Sequence, residues 1–188
     1  MAEDTSDEAL MAAVRAAHQQ AFRLLMSRHM PRAIRVAQRI VRNPAEADDI
    51  GQEAFLRVWT SAASYDPKVG RFTTWLYRIV LNLAFDRMRR PAFASIDETE
   101  TGDVRSAEPA ADEQLIASEE RGAVERAMAR LSERQRGAIA LFHMEGLSGE
   151  EAAKAMNLGA KAFESLLGRA RTALREEVRK ILNDRRSA

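Results

Sequence analysis

The 188-residue chain contains no cysteine, only nine glycines and five prolines, and 6% aromatic residues. The absence of cysteine excludes disulfides and thiolate metal sites. The three histidines are isolated and do not form the ligand cluster of a zinc site. No apolar run approaches the roughly 18 residues needed to cross a bilayer, and the first residues, MAEDTSDEAL, are acidic where a signal peptide would be basic. We therefore expect a soluble, cytoplasmic protein without membrane insertion, metal or cofactor.

The abundant residues favour helices. Alanine, leucine, arginine and glutamate dominate the chain, and their helix propensities are high. Apolar residues recur at helical spacing, and the period-two alternation of strands is absent. The hydrophobic fraction of 46% is sufficient for a globular core. The sequence predicts an all-α protein with two small helical domains, at residues 1–90 and 114–188.

Charge is distributed unevenly, although the net charge is only +1. Residues 10–90 contain 14 basic and 6 acidic residues, and residues 161–186 contain 8 and 4. Residues 91–113 contain one basic and seven acidic residues without periodicity, so we expect a flexible acidic linker there. The two basic blocks indicate polyanion binding. For either block alone, a solvated arginine-rich face explains the charge equally well.

Capping residues predict where helices begin. Capping-box pairs are present at Thr5 with Glu8, Ser132 with Gln135, and Ser148 with Glu151. Asn43 precedes Pro44, which suits the first helical position because proline lacks the N–H group. Pro31 is expected to separate two helices. The predicted helices are 18–29, 31–42, 44–62, 71–90, 114–130, 133–144, 149–156 and 160–182.

The stretch LSGEEAAKAMNLGAKAFESLLGRAR, from Leu147 to Arg171, has the pattern of a helix-turn-helix motif. Ser148 caps a short helix, Ala153 allows a close helix crossing, and Asn157 tolerates the positive φ of a turn. The buried face of the second helix is predicted to contain Leu158, Phe163, Leu167, Ala170 and Leu174.

The second helix of such a motif enters the major groove of DNA, and its N-terminal residues reach base edges. The candidates for base contacts are Lys161, Glu164 and Ser165, and those for phosphate contacts are Arg169 and Arg171, with Arg175 further along. A helical hairpin with a charged exterior is the alternative interpretation.

The stretch FTTWLYRIVLNLAFDRMRR, from Phe72 to Arg90, carries two different faces on one predicted helix. The core face contains Phe72, Leu76, Ile79, Val80 and Leu83. The second face contains Arg71, Trp75, Arg78, Asn82, Phe85 and Arg89. Guanidinium groups bind phosphates, and exposed aromatic rings stack on unpaired bases. This face therefore suggests a single-strand track, unless Trp75 and Phe85 pack on a neighbouring helix.

These segments resemble a known family. One pair of segments is similar to region 2 of bacterial RNA polymerase sigma factors of the extracytoplasmic-function (ECF) subgroup. The pair consists of AEADDIGQEAFLRVW, from Ala45 to Trp59, followed by GRFTTWLYRIVLNLAFDRMRR. LSERQRGAIALFHMEGLSGEEAAKAMNL and ESLLGRAR are similar to region 4 of the same family. The resemblance covers nearly the whole chain outside the linker.

The resemblance implies roles for particular residues. The face that docks on the β′ clamp helices of core polymerase would contain Asp48, Asp49, Gln52, Glu53 and Phe55. The minus-ten promoter element would be captured by the loop after Tyr65 and by Arg71, Trp75, Arg78, Asn82 and Arg89. The minus-thirty-five element would be read by Lys161, Glu164, Ser165, Arg169 and Arg171. The linker would pass through the RNA exit path.

The chain also departs from the family pattern. The predicted recognition helix departs from the family at Phe163-Glu164-Ser165-Leu166, where family members commonly have two positive charges. We therefore expect altered contacts with the minus-thirty-five element. Gly51 replaces an aliphatic residue and should cost up to about 1 kcal/mol of helix stability. Gly168 lacks a side chain that is often present.

The resemblance implies a promoter-specificity subunit that is not an enzyme, and no nucleophile–base pair or phosphate-binding glycine loop is visible. The implied partners are core RNA polymerase, through its β′ clamp helices and β flap, promoter DNA, and an anti-sigma protein. A sigma-like decoy or adaptor that binds only an anti-sigma protein is one alternative. Such proteins usually carry a receiver domain, for which this chain has no room. A helix-turn-helix repressor is another, but it explains only the second domain.

Overall fold

The computed structural model describes residues 5–89 and 122–186. The first domain contains α1 (Asp7–Arg15), α2 (Gln19–Val41), α3 (Pro44–Thr60), a 3-10 turn (Ala62–Ser64) and α4 (Phe72–Arg89). The second contains α5 (residues 122–130), α6 (Glu133–Ile139), a π-helical turn (Ala140–Met144), α7 (Gly149–Ala155) and α8 (Ala160–Arg186). The predicted all-α class is confirmed, and the described residues include no strand. The predicted linker, 91–113, lies outside them.

The core of the first domain lies between α2, α3 and α4, each of which packs on the other two. Their apolar residues recur at helical spacing, so one face of each helix turns inward. Phe55 and Phe72 are among the largest fully buried side chains. α1 is held on α2 by Asp7, whose carboxylate lies 3.2 Å from Arg28 Nη1 and 2.7 Å from His29 Nε2.

Pro31 lies inside α2 and does not divide it, so the prediction of two helices is wrong. Proline lacks an N–H group and normally disrupts a helix interior at a cost of about 3 kcal/mol. Here α2 buries Leu25 before the proline and Val36 and Ile40 after it. Because both halves contribute to one core, burial of the apolar face offsets the missing hydrogen bond.

The predicted helix starts are largely confirmed. Ser132 and Ser148 form complete capping boxes with Gln135 and Glu151, and Asn43 accepts a hydrogen bond from the Glu46 N–H. The first helix is capped by Ser6 instead of Thr5.

The second domain contains the predicted helix-turn-helix motif, formed by α7 and α8. Asn157, in the turn, has the expected positive φ of 54°. Phe163, Leu167 and Ala170 are buried, and Leu158 and Leu174 pack against the core with partial exposure. None of the helices within the described ranges is long and apolar enough to span a membrane.

The two domains pack against each other, α4 on α7 and α2 on α6. α6 approaches α4 closely at Gly137, where an added Cβ would lie 3.4 Å from both Leu81 Cδ2 and Phe85 Cζ. Arg136, 6% exposed, crosses the boundary. Its Nη2 donates to the Ile40 carbonyl at 2.7 Å, and its Nη1 donates to the Leu131 carbonyl at 2.6 Å. One hydrophobic core therefore extends through both domains.

Candidate DNA and polymerase interfaces

The acidic face predicted on α3 is present on the surface of the first domain. Asp48, Asp49, Gln52 and Glu53 are all exposed. Glu53 accepts a hydrogen bond from Arg57 Nη2 at 2.7 Å, one turn further along the helix. Such a pair at the surface contributes little stability and leaves the carboxylate accessible to another cation. The face can therefore bind a basic partner surface.

Phe55 does not share this surface. Its side chain is 1% exposed and lies in the core, with its ring 6.2 Å from the ring of Phe22. It can support the acidic face from below, but its side chain cannot contact a partner directly. Gly51 is also buried in α3, directly against Ile34 of α2.

The second face predicted on α4, called the α4 stripe below (Arg71, Trp75, Arg78, Asn82, Phe85 and Arg89), is exposed over most of its length. Arg71, Arg78, Asn82 and Arg89 have exposed side chains. Arg89 donates to Asp86 on the same helix, and Arg71 Nη1 lies 3.5 Å from Glu151 Oε1 of α7. Arg78 and Asn82, one turn apart, form the accessible centre of the stripe.

Trp75 is half-buried at the edge of the stripe. Its ring lies 5.4 Å from Tyr65 and 6.3 Å from Phe72, measured between centroids. These contacts belong to an aromatic cluster at the start of α4, so part of the indole is core and part remains accessible. Packing of this kind would hold the exposed edge rigidly, as a stacking platform requires.

Phe85 packs on the second domain. Its Cζ atom would lie 3.4 Å from a Cβ added at Gly137 of α6, and the Arg134 guanidinium lies 5.9 Å from the centroid of its ring. The alternative interpretation, in which Phe85 packs on a neighbouring helix, therefore describes this residue. Together with the pair between Arg71 and Glu151, this contact places the second domain against the α4 stripe at two positions, Arg71 and Phe85.

The candidate DNA-reading residues of the helix-turn-helix motif are accessible on α8. Lys161, Glu164, Ser165 and Arg169 are exposed, and all lie within the first three turns of the helix. Gly168 is exposed beside them, with nothing within 4 Å of the position of an added Cβ. This surface remains open while the two domains are packed together.

Arg171 differs from the other candidates because it is engaged inside its own domain. Its Nε donates to His143 Nε2 at 3.0 Å, and its guanidinium lies 5.1 Å from the centroid of Phe142. Desolvation lowers the pKa of His143, and the positive charge of Arg171 lowers it further. The neutral imidazole is therefore the form that accepts this bond, which orients Arg171 on α8.

One polar contact at the domain boundary has no counterpart in the sequence predictions. The Tyr77 hydroxyl of α4 donates to Glu145 Oε2 at 2.5 Å, across 68 residues of chain. Within the described residues, the Tyr77 hydroxyl has no hydrogen-bond partner close to it in the sequence, and helical spacing placed Tyr77 on neither of the two predicted faces of α4. Only the packing of the two domains brings the pair together.

Comparison with known proteins identifies the family. The model of sigma-70 region 2 matches residues 25–93, and that of sigma-70 region 4 matches residues 121–174. The ECF RNA polymerase sigma-E factor of Escherichia coli K12 is 32% identical over 191 aligned positions, which span 97% of this chain and 99% of that protein. The chain belongs to the ECF RNA polymerase sigma factors.

Two further relatives agree with this assignment. The ECF sigma factor SigK of Mycobacterium sp. strain KMS is 37% identical over 131 residues, which cover 68% of this chain and 67% of that protein. The solved structure of CnrH in complex with the cytosolic domain of CnrY has a TM-score of 0.67 and 28% identity, and it covers 92% of this ECF sigma factor and 96% of CnrH. The resemblance inferred from the sequence is confirmed, since the models of both sigma-70 regions match this chain in the expected order.

Proposed function

We propose that this ECF sigma factor binds core RNA polymerase and directs it to promoters by contacting both the minus-ten and the minus-thirty-five elements. The observation that carries the proposal is the presence of three chemically different exposed surfaces: an acidic face on α3, a basic stripe on α4 and a recognition face on α8. A repressor would require only the last of these. The protein performs no catalysis of its own in this proposal, and it acts in the cytoplasm, where the polymerase transcribes.

The acidic face of α3 binds the β′ clamp helices of the polymerase in this proposal. Asp48, Asp49 and Glu53 present three carboxylates on an otherwise basic domain, and complementary charge both orients and accelerates association. Phe55 fixes the orientation of the helix from the core side. The second domain reaches the β flap.

The stripe on α4 captures the non-template strand of the minus-ten element. Arg78 and Asn82 are positioned to contact phosphate and base, and the accessible edge of Trp75 offers a stacking surface. Stacking is worth about 1–3 kcal/mol per base, which is comparable to the cost of extruding a base from the duplex. Binding energy can therefore drive strand opening without a chemical step.

The N-terminal turns of α8 read the minus-thirty-five element as duplex. Lys161, Glu164 and Ser165 face the base edges, and Arg169 contacts phosphate. Arg171 reaches phosphate only after rotating away from His143, or it acts by holding the helix in place. Glu164 is suited to accept a hydrogen bond from a cytosine amino group.

An anti-sigma protein regulates the factor in this proposal. The related CnrH was solved with the cytosolic domain of CnrY. In the packed arrangement described above, the second domain contacts the α4 stripe at Arg71 through Glu151 and at Phe85 through Gly137. A partner that favours this arrangement would limit promoter binding, and one that separates the domains would permit it.

Reconstitution with core polymerase tests the main proposal. We expect the purified protein to give promoter-specific transcripts from genomic DNA when added to core enzyme lacking sigma. The variant Asp49→Lys/Glu53→Lys should lose core binding, because two attractive charges become repulsive. The variant Glu176→Lys/Asp184→Lys makes the same charge change at exposed positions of α8, outside the acidic face of α3, and should lose much less core binding. Absence of specific initiation by the wild-type protein would refute the proposal.

Strand capture is tested separately with Arg78→Ala/Asn82→Ala, since both side chains are exposed and their removal should leave the fold intact. We expect core binding to be unchanged and open-complex formation to fall by about 10- to 100-fold, equivalent to the loss of one or two strand contacts. Arg15→Ala on α1 removes a comparable exposed charge and serves as the control. Equal open-complex formation in both variants would contradict the assignment of α4.

A further inference from the structure

A basic cleft lies between the two domains, away from the surfaces discussed above. It runs between α2 and the π-helical turn, and its volume is about 320 Å³. Its lining residues are Arg32, Arg35, Val36, Arg39, Ala140, Met144 and Glu145. A volume of this size lies at the lower end of the range typical for small-ligand sites.

Three arginines form one wall of the cleft. Arg32, Arg35 and Arg39 follow a spacing of three and four residues, so they lie on the same face of α2. Arg32 and Arg35 are exposed and form no ion pair within the described parts of the chain. Arg39 lies 3.6 Å from Glu125, and this contact is solvent-accessible. Most of the positive charge is therefore not neutralised by the protein.

Among the residues that the structure describes, Glu145 contributes the only carboxylate that lines the cleft. One of its oxygens already accepts a short hydrogen bond from the Tyr77 hydroxyl. Its negative charge reduces the potential of three guanidinium groups without cancelling it. The cleft is thus a preformed concave site with an excess of positive charge, and such a site attracts small anions.

We propose that this interdomain cleft binds an oligophosphate, such as the di- or triphosphate group of a nucleotide. Guanidinium groups in a row match successive phosphates because each can donate two hydrogen bonds to phosphate oxygens. Met144, whose side chain is exposed, provides an apolar surface against which a nucleoside base can lie. The volume of about 320 Å³ suits a small anion such as an oligophosphate and is too small for duplex DNA.

The site combines residues of both domains. α2 belongs to the first domain, and Met144 and Glu145 belong to the second. The cleft is therefore complete only while the domains are packed, and a bound oligophosphate would contact both. This inference is independent of the proposed promoter function, because the α3, α4 and α8 surfaces do not line the cleft.

Calorimetric titration of the full-length protein with inorganic tripolyphosphate tests the proposal. We expect saturable one-to-one binding that Arg32→Ala/Arg35→Ala weakens by about 10- to 100-fold, as expected for two lost charge-assisted contacts. Arg15→Ala/Arg23→Ala removes two exposed arginines outside the cleft and is the matched control. It should bind tripolyphosphate as the wild type does. Equal affinity of all three proteins would show diffuse ion association and overturn the proposal.

A second variant changes the affinity in the opposite direction. Glu145→Gln keeps an acceptor for Tyr77 but removes the negative charge from the cleft, so it should bind tripolyphosphate more tightly. Unchanged or weaker binding would contradict the location of the site. Circular dichroism of each variant checks that the helices are intact.

Ligands of the same charge distinguish the sources of the phosphate group. A nucleoside triphosphate that binds more tightly than tripolyphosphate identifies a nucleotide site, in which the exposed side chain of Met144 contributes. Equal affinities identify a site for the phosphate chain alone. Both results support the proposal. Binding of single-stranded DNA at Arg32 and Arg35 without binding of either oligophosphate would refute it and make this surface part of a nucleic-acid path.

Discussion

Tyr77 makes a polar contact between the two domains. It is 3% exposed, and its hydroxyl donates to Glu145 at 2.5 Å. Burial raises the pKa of Tyr77, and the hydrogen bond to Glu145 and the charge of that carboxylate raise it further. The hydroxyl therefore stays protonated at physiological pH and can donate throughout that range.

Tyr77→Phe tests the strength of this bond. We expect a loss of about 1–3 kcal/mol of unfolding free energy, because a partly buried carboxylate is left without its donor. Tyr65→Phe is the matched control, since its hydroxyl makes a longer bond of 3.3 Å to the Gly70 carbonyl within the first domain. The control should lose less than about 1 kcal/mol in urea denaturation. Equal losses in the two variants would contradict the special role of Tyr77.

The residue scale also shows what helical spacing can predict. The exposed positions of Asp48, Gln52, Arg78 and Asn82 follow from the helical wheel alone. Phe55 lies at nearly the same angle as Asp48 but is buried, because Phe22 of α2 covers that end of α3. The wheel gives the direction of a side chain and does not reveal which neighbouring element covers it.

At the scale of elements, α2 and α3 cross closely at Gly51. An added Cβ at this position would lie 2.5 Å from Ile34 Cγ1 and 3.3 Å from Met30 Sδ. Glycine lowers helix propensity, as noted for the sequence, but here it permits two helices to approach. Three helix starts, at Asn43, Ser132 and Ser148, could be predicted from their capping residues. This crossing could not, because it depends on residues of another helix.

Gly51→Ala should therefore destabilise the protein although alanine is the better helix former. We expect a loss of about 1–3 kcal/mol from the forced shift of Ile34, measured by urea denaturation. Gly168→Ala makes the same chemical change at an exposed helical site with open space around it, and it should gain about 0.5–1 kcal/mol.

A double-mutant cycle identifies the cause of the effect. If Ile34 is the obstacle, Gly51→Ala should cost less in an Ile34→Ala background than in the wild type. An additive cycle, or a stabilising Gly51→Ala, would show that the helices can separate easily at this crossing.

At the scale of the whole molecule, the packing of the two domains determines which surfaces are accessible. The recognition face of α8 is open, whereas the α4 stripe is contacted by Glu151 at Arg71 and by Gly137 at Phe85. The motifs predicted the two family regions and most of the exposed positions on α3, α4 and α8. They could not predict this arrangement, because the contacts join residues more than 50 positions apart without a local pattern.

Cross-linking tests whether the packed arrangement limits function. The chain has no native cysteine, so Arg71→Cys/Glu151→Cys introduces a unique pair at a contact of 3.5 Å between the original side chains. We expect a short bismaleimide to bridge the pair within one molecule and to reduce promoter-complex formation with core polymerase by more than about tenfold. The physical reason is that a bridged molecule cannot move its helix-turn-helix domain away from the α4 stripe.

The control is the same double variant labelled with a monofunctional maleimide, which modifies both positions without joining them. Gel-shift assays with promoter DNA compare the two preparations at equal core concentration. If bridged and unbridged proteins form complexes equally well, the packed arrangement does not restrict promoter binding.

Arg136 also makes the end of one helix depend on the position of the other domain. Its guanidinium binds the carbonyl of Ile40 in the last turn of α2, a group that helices normally leave to water or to a cap of their own. The C-terminal carbonyl of α2 is thus capped by a side chain of the second domain. When the domains separate, this turn loses its cap and frays more readily. Faster amide hydrogen exchange at the end of α2 would therefore report that the two domains have separated, although α2 lies entirely in the first domain.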